Sequence, residues 1–114
     1  MSVAAESENL WGYLKRLQFV LGVMREAFPD EFPGGLRVLD VGCGNGSQLA
    51  LPLARHGVAV TGVDTDANSI AHARELARDT PSARFENTSV NELSEGDFDV
   101  VIVSEVLEHV DNPD

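Results

Sequence analysis

Apolar residues recur in two different rhythms along this chain. Over the first thirty positions, Leu10, Leu14, Leu17, Leu21, Met24 and Phe28 alternate spacings of four and three, which sets them on one stripe of an α-helix. Trp11 and Phe19 flank the stripe. The pattern predicts a helix packed against a core; a lid or substrate-facing helix is the alternative. Phe28-Pro29-Asp30 and Phe32-Pro33-Gly34-Gly35 then break it and form a connector.

From Leu36 the rhythm shortens to continuous apolar runs. Residues 37–41 read as a buried strand ending in Gly42-Cys43-Gly44-Asn45-Gly46, with a helical stretch from there to His56. Residues 58–63 form a second strand, and Asp66 is placed to cap a helix carrying Ile70, Ala73, Leu76 and Ala77 on one face. Thr80-Pro81 stops that helix. Residues 83–86 are a weak third strand. Residues 98–103 are a strong fourth, apolar enough to be covered on both faces. A further helix begins at Glu105. Strands alternating with helices predict an α/β parallel sheet with right-handed crossovers. The strand order is expected to reverse beside the first strand, opening a crevice at the carboxyl ends.

Composition changes this picture in three ways. With 114 residues, 43% hydrophobic and 24% charged, the chain is expected to be a single packed domain rather than a disordered segment. Eight Lys+Arg against 19 Asp+Glu give a net charge of -11, a field that argues against nucleic acid and anionic membranes as general partners. No apolar run is long enough for a membrane span, the acidic N-terminus lacks a signal-peptide core, and the single Cys43 excludes an internal disulfide. A reducing cytoplasm is the expected compartment.

The glycine loop is the first candidate site. Gly42, Gly44 and Gly46 let backbone turn sharply and approach a ligand where a Cβ would collide, and the following helix is expected to present its N-terminal amides there. Asp64 lies 18 residues beyond Gly46 at the end of the second strand, placed to accept both hydroxyls of a ribose. Together they indicate an adenosine-containing ligand. A dinucleotide loop, Gly-x-Gly-x-x-Gly, would put its third glycine at position 47, where this chain has Ser47. Asp40, just before the loop, opposes a diphosphate and suits an ammonium group.

Glu105, Glu108 and His109 form the second candidate. At i, i+3 and i+4 they share a helix face and make a reasonable ligand set for Mg²⁺ or another divalent metal. A metal there would lower the pKa of a substrate hydroxyl; His109 alone is a candidate general base; or the acids merely complement a helix N-terminus. Cys43 has no sequence-adjacent base and reads as loop lining, His56 and His72 as surface or packing residues, and Asp97 and Asp99 as turn and strand-start residues.

The segment Val38-Leu-Asp-Val-Gly-Cys-Gly-Asn-Gly46 resembles motif I of the class I S-adenosylmethionine-dependent methyltransferases, and the resemblance runs from about Leu36 to the last residue. Leu51-Pro-Leu-Ala-Arg-His-Gly57, Val60-Thr-Gly-Val-Asp64 and Ser104-Glu-Val-Leu-Glu-His-Val110 are similar to the ubiquinone-biosynthesis O-methyltransferases within that superfamily. The E-x-x-E-H segment also resembles the metal-binding element of small-RNA 2′-O-methyltransferases. The resemblance implies a Rossmann-like parallel sheet with helices on both faces, truncated after the fourth strand and preceded by the N-terminal helix. Residues 1–35 are then the helix and connector, and residues 36–114 the cofactor-binding part of the domain.

It also implies roles. Gly42, Cys43, Gly44 and Gly46 line the methionine half of S-adenosylmethionine, with Asp40 and the Ser104 carbonyl near its amino group. Asp64 holds the ribose with Thr65 beside it, and Ser89 and Val90 take the positions where the family often has an Asp near adenine. His109 and Glu105 are the candidate catalytic residues. The expected reaction is methyl transfer to an oxygen of a small hydroxylated acceptor. The alternatives are a metal-dependent RNA 2′-O-methyltransferase, a non-catalytic S-adenosylmethionine-binding module and, weakest, a nicotinamide enzyme. A fourth strand left as an apolar edge would favour a homodimer.

Overall fold

A computed structural model describes residues 3–93 and 96–104, with side chains from residue 12 onward. Four strands form one parallel sheet in the order β3-β2-β1-β4: β1 (Arg37–Val41), β2 (Ala59–Asp64), β3 (Ala83–Asn87) and β4 (Val100–Val103). The helices are α1 (Val3–Ala27), α2 (Ala50–Arg55) and α3 (Ala67–Leu76), with a 3-10 turn at Val90–Glu92. The chain steps outward from β1 to β3, then returns to the far side of β1, so the strand order reverses beside β1 as expected.

Register explains where the core lies. Val38 aligns with Val60 and Val100, and Gly62 with Phe85, so these residues share one pleat of the sheet. Val38, Val60 and Phe85 join one buried cluster with Leu17, Leu21 and Met24 of α1, Leu51 and Leu53 of α2, and Ile70 and Ala73 of α3. Two successive right-handed crossovers stepping the same way place α2 and α3 on the same face. The return from β3 to β4 steps the other way across the sheet. Among the described residues it carries the 3-10 turn alone.

Several expectations are revised at the element ends. α2 starts at Ala50 rather than directly after Gly46, because Asn45 Oδ1 accepts the Ser47 N–H (3.0 Å) and holds a turn that helix geometry would not allow. Pro52 is then the third residue of α2, inside the first turn, where its missing N–H costs no intrahelical bond. Residues 98 and 99 fall outside β4: the Asp99 N–H donates to the Arg37 carbonyl (2.8 Å), and the Asp99 carboxylate accepts the Arg37 N–H (3.0 Å). That reciprocal pair fixes how β4 starts. β4 is not covered on both faces, since Val101 is 57% exposed and Val103 41%.

On α1 the apolar stripe is narrower than its spacing suggests. Leu17, Leu21 and Met24 are buried and Phe28 is half-buried, whereas Leu14 and Phe19 are exposed. The Leu10 and Trp11 side chains lie outside the described set. Asp66 caps α3 as expected, its side chain accepting the Asn68 N–H; Ile70, Ala73 and Ala77 are buried, and Leu76 lies at the margin. Two substitutions within α1 test this orientation. Met24→Ala removes a 1%-exposed side chain and should lower unfolding free energy in urea by about 3 kcal/mol, while Phe19→Ala, at 71% exposure, should change it by less than about 0.5 kcal/mol.

Candidate functional site

The loop after β1 runs through three glycines with positive φ, Gly42 (74°), Gly44 (60°) and Gly46 (79°). Residues with a Cβ avoid that region, which is why glycine recurs here. These turns aim three of the loop's amides at β2 and a fourth back into the loop. Gly42 and Cys43 N–H both donate to the Val63 carbonyl (2.9 and 3.1 Å), Gly44 N–H to Asp64 Oδ2 (2.9 Å), and Gly46 N–H to the Cys43 carbonyl (3.1 Å). The expectation that this loop feeds straight into helix amides facing a ligand is therefore corrected. The turn at 47–49 separates the loop from α2, and the four amides bond within the protein.

What the loop offers instead is a hollow. A cavity of about 380 Å³ opens at the carboxyl ends of the strands. The end of β1 and its loop contribute Val41, Gly42 and Gly44; the end of β2 and the residue after it contribute Val63, Asp64 and Thr65; the segment after β3 contributes Thr88, Ser89 and Val90. The volume falls in the range of about 300–1,000 Å³ typical of small-molecule sites. A Cβ built on Gly44 would meet no atom within 4 Å, so the absent side chain leaves open space beside the loop.

Asp64 is the charged group of this cavity. Its Oδ2 accepts from Gly44 and its Oδ1 from the Asp66 N–H (2.9 Å), so one carboxylate ties the loop to the start of α3. Each oxygen retains further lone-pair capacity, and the residue is half-buried at the lip, where a ligand's hydroxyl groups can donate to it. The Asp64 carbonyl in turn accepts from Thr88 N–H (3.1 Å) and Asn87 Nδ2 (3.0 Å), which draws the β3 segment to the same point.

Four residues expected at the site lie beneath or beside the cavity instead. Asp40 is 1% exposed, and its Oδ1 accepts from Ser104 Oγ, joining the ends of β1 and β4. Gly46 is buried against Phe85 and Leu51. Cys43 is half-buried with its Sγ 3.3 Å from the Gly44 carbonyl. Burial, then the charges of Asp40 and Asp64, push its thiol up to about 12. Thr88 and Phe85 were missed by the sequence reading. Thr88 had a usable signal, lying one residue past the end of β3 where ligand-facing loops begin. His56 Nδ1 lies 2.8 Å from the Pro52 carbonyl at the end of α2, in keeping with a surface role. Glu105, Glu108 and His109 lie outside the described residues, among which no group of three His, Cys, Asp or Glu side chains is placed to hold a metal.

Residues 38–114 match the methyltransferase domain family. The chain belongs to it. The ubiquinone biosynthesis O-methyltransferase of Paracidovorax citrulli is 44% identical over 84 residues, covering 69% of this chain and 35% of that protein. That of Maricaulis maris is 39% identical over 104 residues, covering 82% and 41%. The chain thus spans well under half the length of these curated relatives. Among solved structures, magnesium protoporphyrin IX methyltransferase from Synechocystis PCC 6803 with bound SAH is 25% identical with a TM-score of 0.68, covering 90% of this chain and 46% of that one. The [4+2]-cyclase SpnF shares the fold at 30% identity and a TM-score of 0.57, covering 72% and 31%.

In this methyltransferase domain Cys43 is held as a neutral thiol. Alkylation by iodoacetamide at pH 8 should be much slower than in the unfolded chain. Between pH 9 and about 12 the unfolded state releases a proton that the folded state retains, so stability contributed below pH 9 is lost as pH rises. Urea titrations across that window should show a falling stability that Cys43→Ala flattens.

Proposed function

We propose that this chain is the cofactor-holding part of an S-adenosylmethionine-dependent methyltransferase that acts on an oxygen of a small hydroxylated molecule. One observation carries the reading: the Asp64 carboxylate stands at the lip of a cavity whose floor is opened by Gly44, with a second acid, Asp40, buried just behind the loop. An adenosine ligand places ribose hydroxyls where a carboxylate accepts them, and two acids at one loop favour a cationic ligand over a diphosphate. The names of the relatives, and the SAH and SAM bound in the Synechocystis structures, support the same ligand.

In this reading Asp64 accepts from the ribose, with Thr65 beside it. Gly42 and Gly44 flank the methionine portion, Thr88, Ser89 and Val90 flank the adenine, and Asp40 with Ser104 sets a negative potential toward the amino group. When bound, the cofactor supplies an electrophilic methyl group on a sulfonium. The chain's own residues align it, which is the main source of rate for an in-line displacement. His109 is the candidate to take the acceptor's proton. No step is assigned to a metal. The RNA reading is disfavoured by the net charge of -11.

Calorimetric titration with S-adenosylhomocysteine tests the cofactor. Saturable binding is expected. Gly44→Ala should weaken it at least about tenfold while costing about 1–2 kcal/mol of stability, the cost coming from its positive φ because the new Cβ enters the cavity and not the core. Asp64→Asn should weaken it by a similar factor, since an amide keeps a single acceptor oxygen and turns a donor group toward the ligand. A folded chain that takes up no S-adenosylhomocysteine refutes the reading. Methyl transfer to a panel of catechols, phenols and alcohols tests the acceptor class, and the absence of transfer by a protein that binds the cofactor would sink that part alone.

A further inference from the structure

Phe85 occupies a gap made by two glycines on different elements. A Cβ at Gly46, in the loop, would lie 2.7 Å from Phe85 Cζ and 2.8 Å from Cε1. A Cβ at Gly62, in the middle of β2, would lie 2.8 Å from Phe85 Cδ1 and Cε1 and 2.8 Å from Cys43 Sγ. Both glycines are therefore required sterically by one ring, which is 5% exposed and reaches from β3 under the loop. Gly62 has no positive φ, so its lack of a side chain answers to the ring and the thiol rather than to backbone conformation.

The ring is anchored in turn. Arg74 of α3 donates to the Phe85 carbonyl through Nε (3.0 Å) and Nη2 (2.9 Å), and its Nη2 lies 3.8 Å from Glu86 Oε2. β3 pairs with β2 alone among the described strands, so this forked contact satisfies a carbonyl on the sheet's outer edge. It also fixes the backbone from which the ring projects.

We infer that Phe85 and Arg74 are positioning residues of the ligand site: the Arg74-anchored ring sets the height of the glycine loop above the sheet, and so keeps the Gly44 N–H on Asp64 and the cavity beside Gly44 open. Neither residue lines the cavity. The consequence for ligand binding rests on the cofactor reading above; the consequence for the loop does not.

Amide hydrogen exchange on the ligand-free full chain separates the two. In Phe85→Leu, which keeps an apolar side chain at the position, exchange at Gly44 and Gly46 should accelerate about tenfold or more while Leu39, in the centre of β1, stays within about twofold. Arg74→Met should do the same to a smaller extent, with Tm nearly unchanged because the side chain is 57% exposed. Gly62→Ala, whose Cβ would press on both the ring and the Cys43 thiol, should likewise loosen the loop. Unchanged exchange at Gly44 and Gly46 in Phe85→Leu, or acceleration shared equally by Leu39, would overturn the proposal and leave the ring as ordinary core. Where S-adenosylhomocysteine binds, its Kd should rise in the same order across these variants. Loop exchange that responds as expected in a chain that binds no S-adenosylhomocysteine would uphold the positioning role and reject the cofactor reading.

Discussion

The Asp64 carboxylate is the joint on which the candidate site depends. Its two oxygens accept backbone N–H groups from opposite directions, Gly44 in the loop after β1 and Asp66 at the start of α3. Hydrogen bonds to an ionised acceptor are worth about 1.5–3 kcal/mol each, and here they close loops that no helix or strand ladder reaches. The main chain of the same residue receives Asn87 and Thr88 from the end of β3. Three strand ends thus converge on one side chain and one peptide unit, and the cavity is the space between them. A ligand that bonds to this carboxylate also bonds to the element that shapes the pocket.

Sterics complement that electrostatic joint from below. The loop is drawn toward β2 by its own amides, and Phe85 limits how far it descends. Glycine serves two distinct ends in this arrangement. At Gly44 it provides the backbone conformation and leaves space for a ligand; at Gly62 it leaves space for a ring belonging to the protein. Asp40 and Cys43 fill the remaining volume. The neutral thiol is tolerated between two carboxylates because its proton is retained well above neutral pH.

Much of the sheet was legible because buried parallel strands leave continuous apolar runs. Val38 to Val41 and Val58 to Val63 show it, and the strand reversal follows from the crossover rules. Asp66 was legible as a cap because its chemistry is local, its side chain accepting the N–H of Asn68 two residues on. The start of α2 was not, because Asn45 competes with the helix for a backbone N–H and only geometry decides the winner. Phe85 lay in the least convincing strand, where Arg84 and Glu86 interrupt the apolar pattern, and its importance comes from residues 39 and 23 positions away in sequence. The loop's inward-facing amides were likewise invisible, since a Gly-x-Gly-x-Gly string specifies freedom of φ without specifying which way the peptides turn.

In the proposed reading, the division between strands also separates holding a ligand from choosing a reaction. The ends of β1 and β2 and the segment after β3 line the cavity, whereas β4 meets it only indirectly, through Ser104 and the buried Asp40. Groups that choose an acceptor need to approach from outside that three-strand hollow. A methyltransferase and a [4+2]-cyclase both share this chain's fold, which is what such a separation allows. The features argued here, a carboxylate that clasps its own loop and a ring that props it, belong to the holding side. They constrain the ligand's shape and charge and do not by themselves specify the reaction.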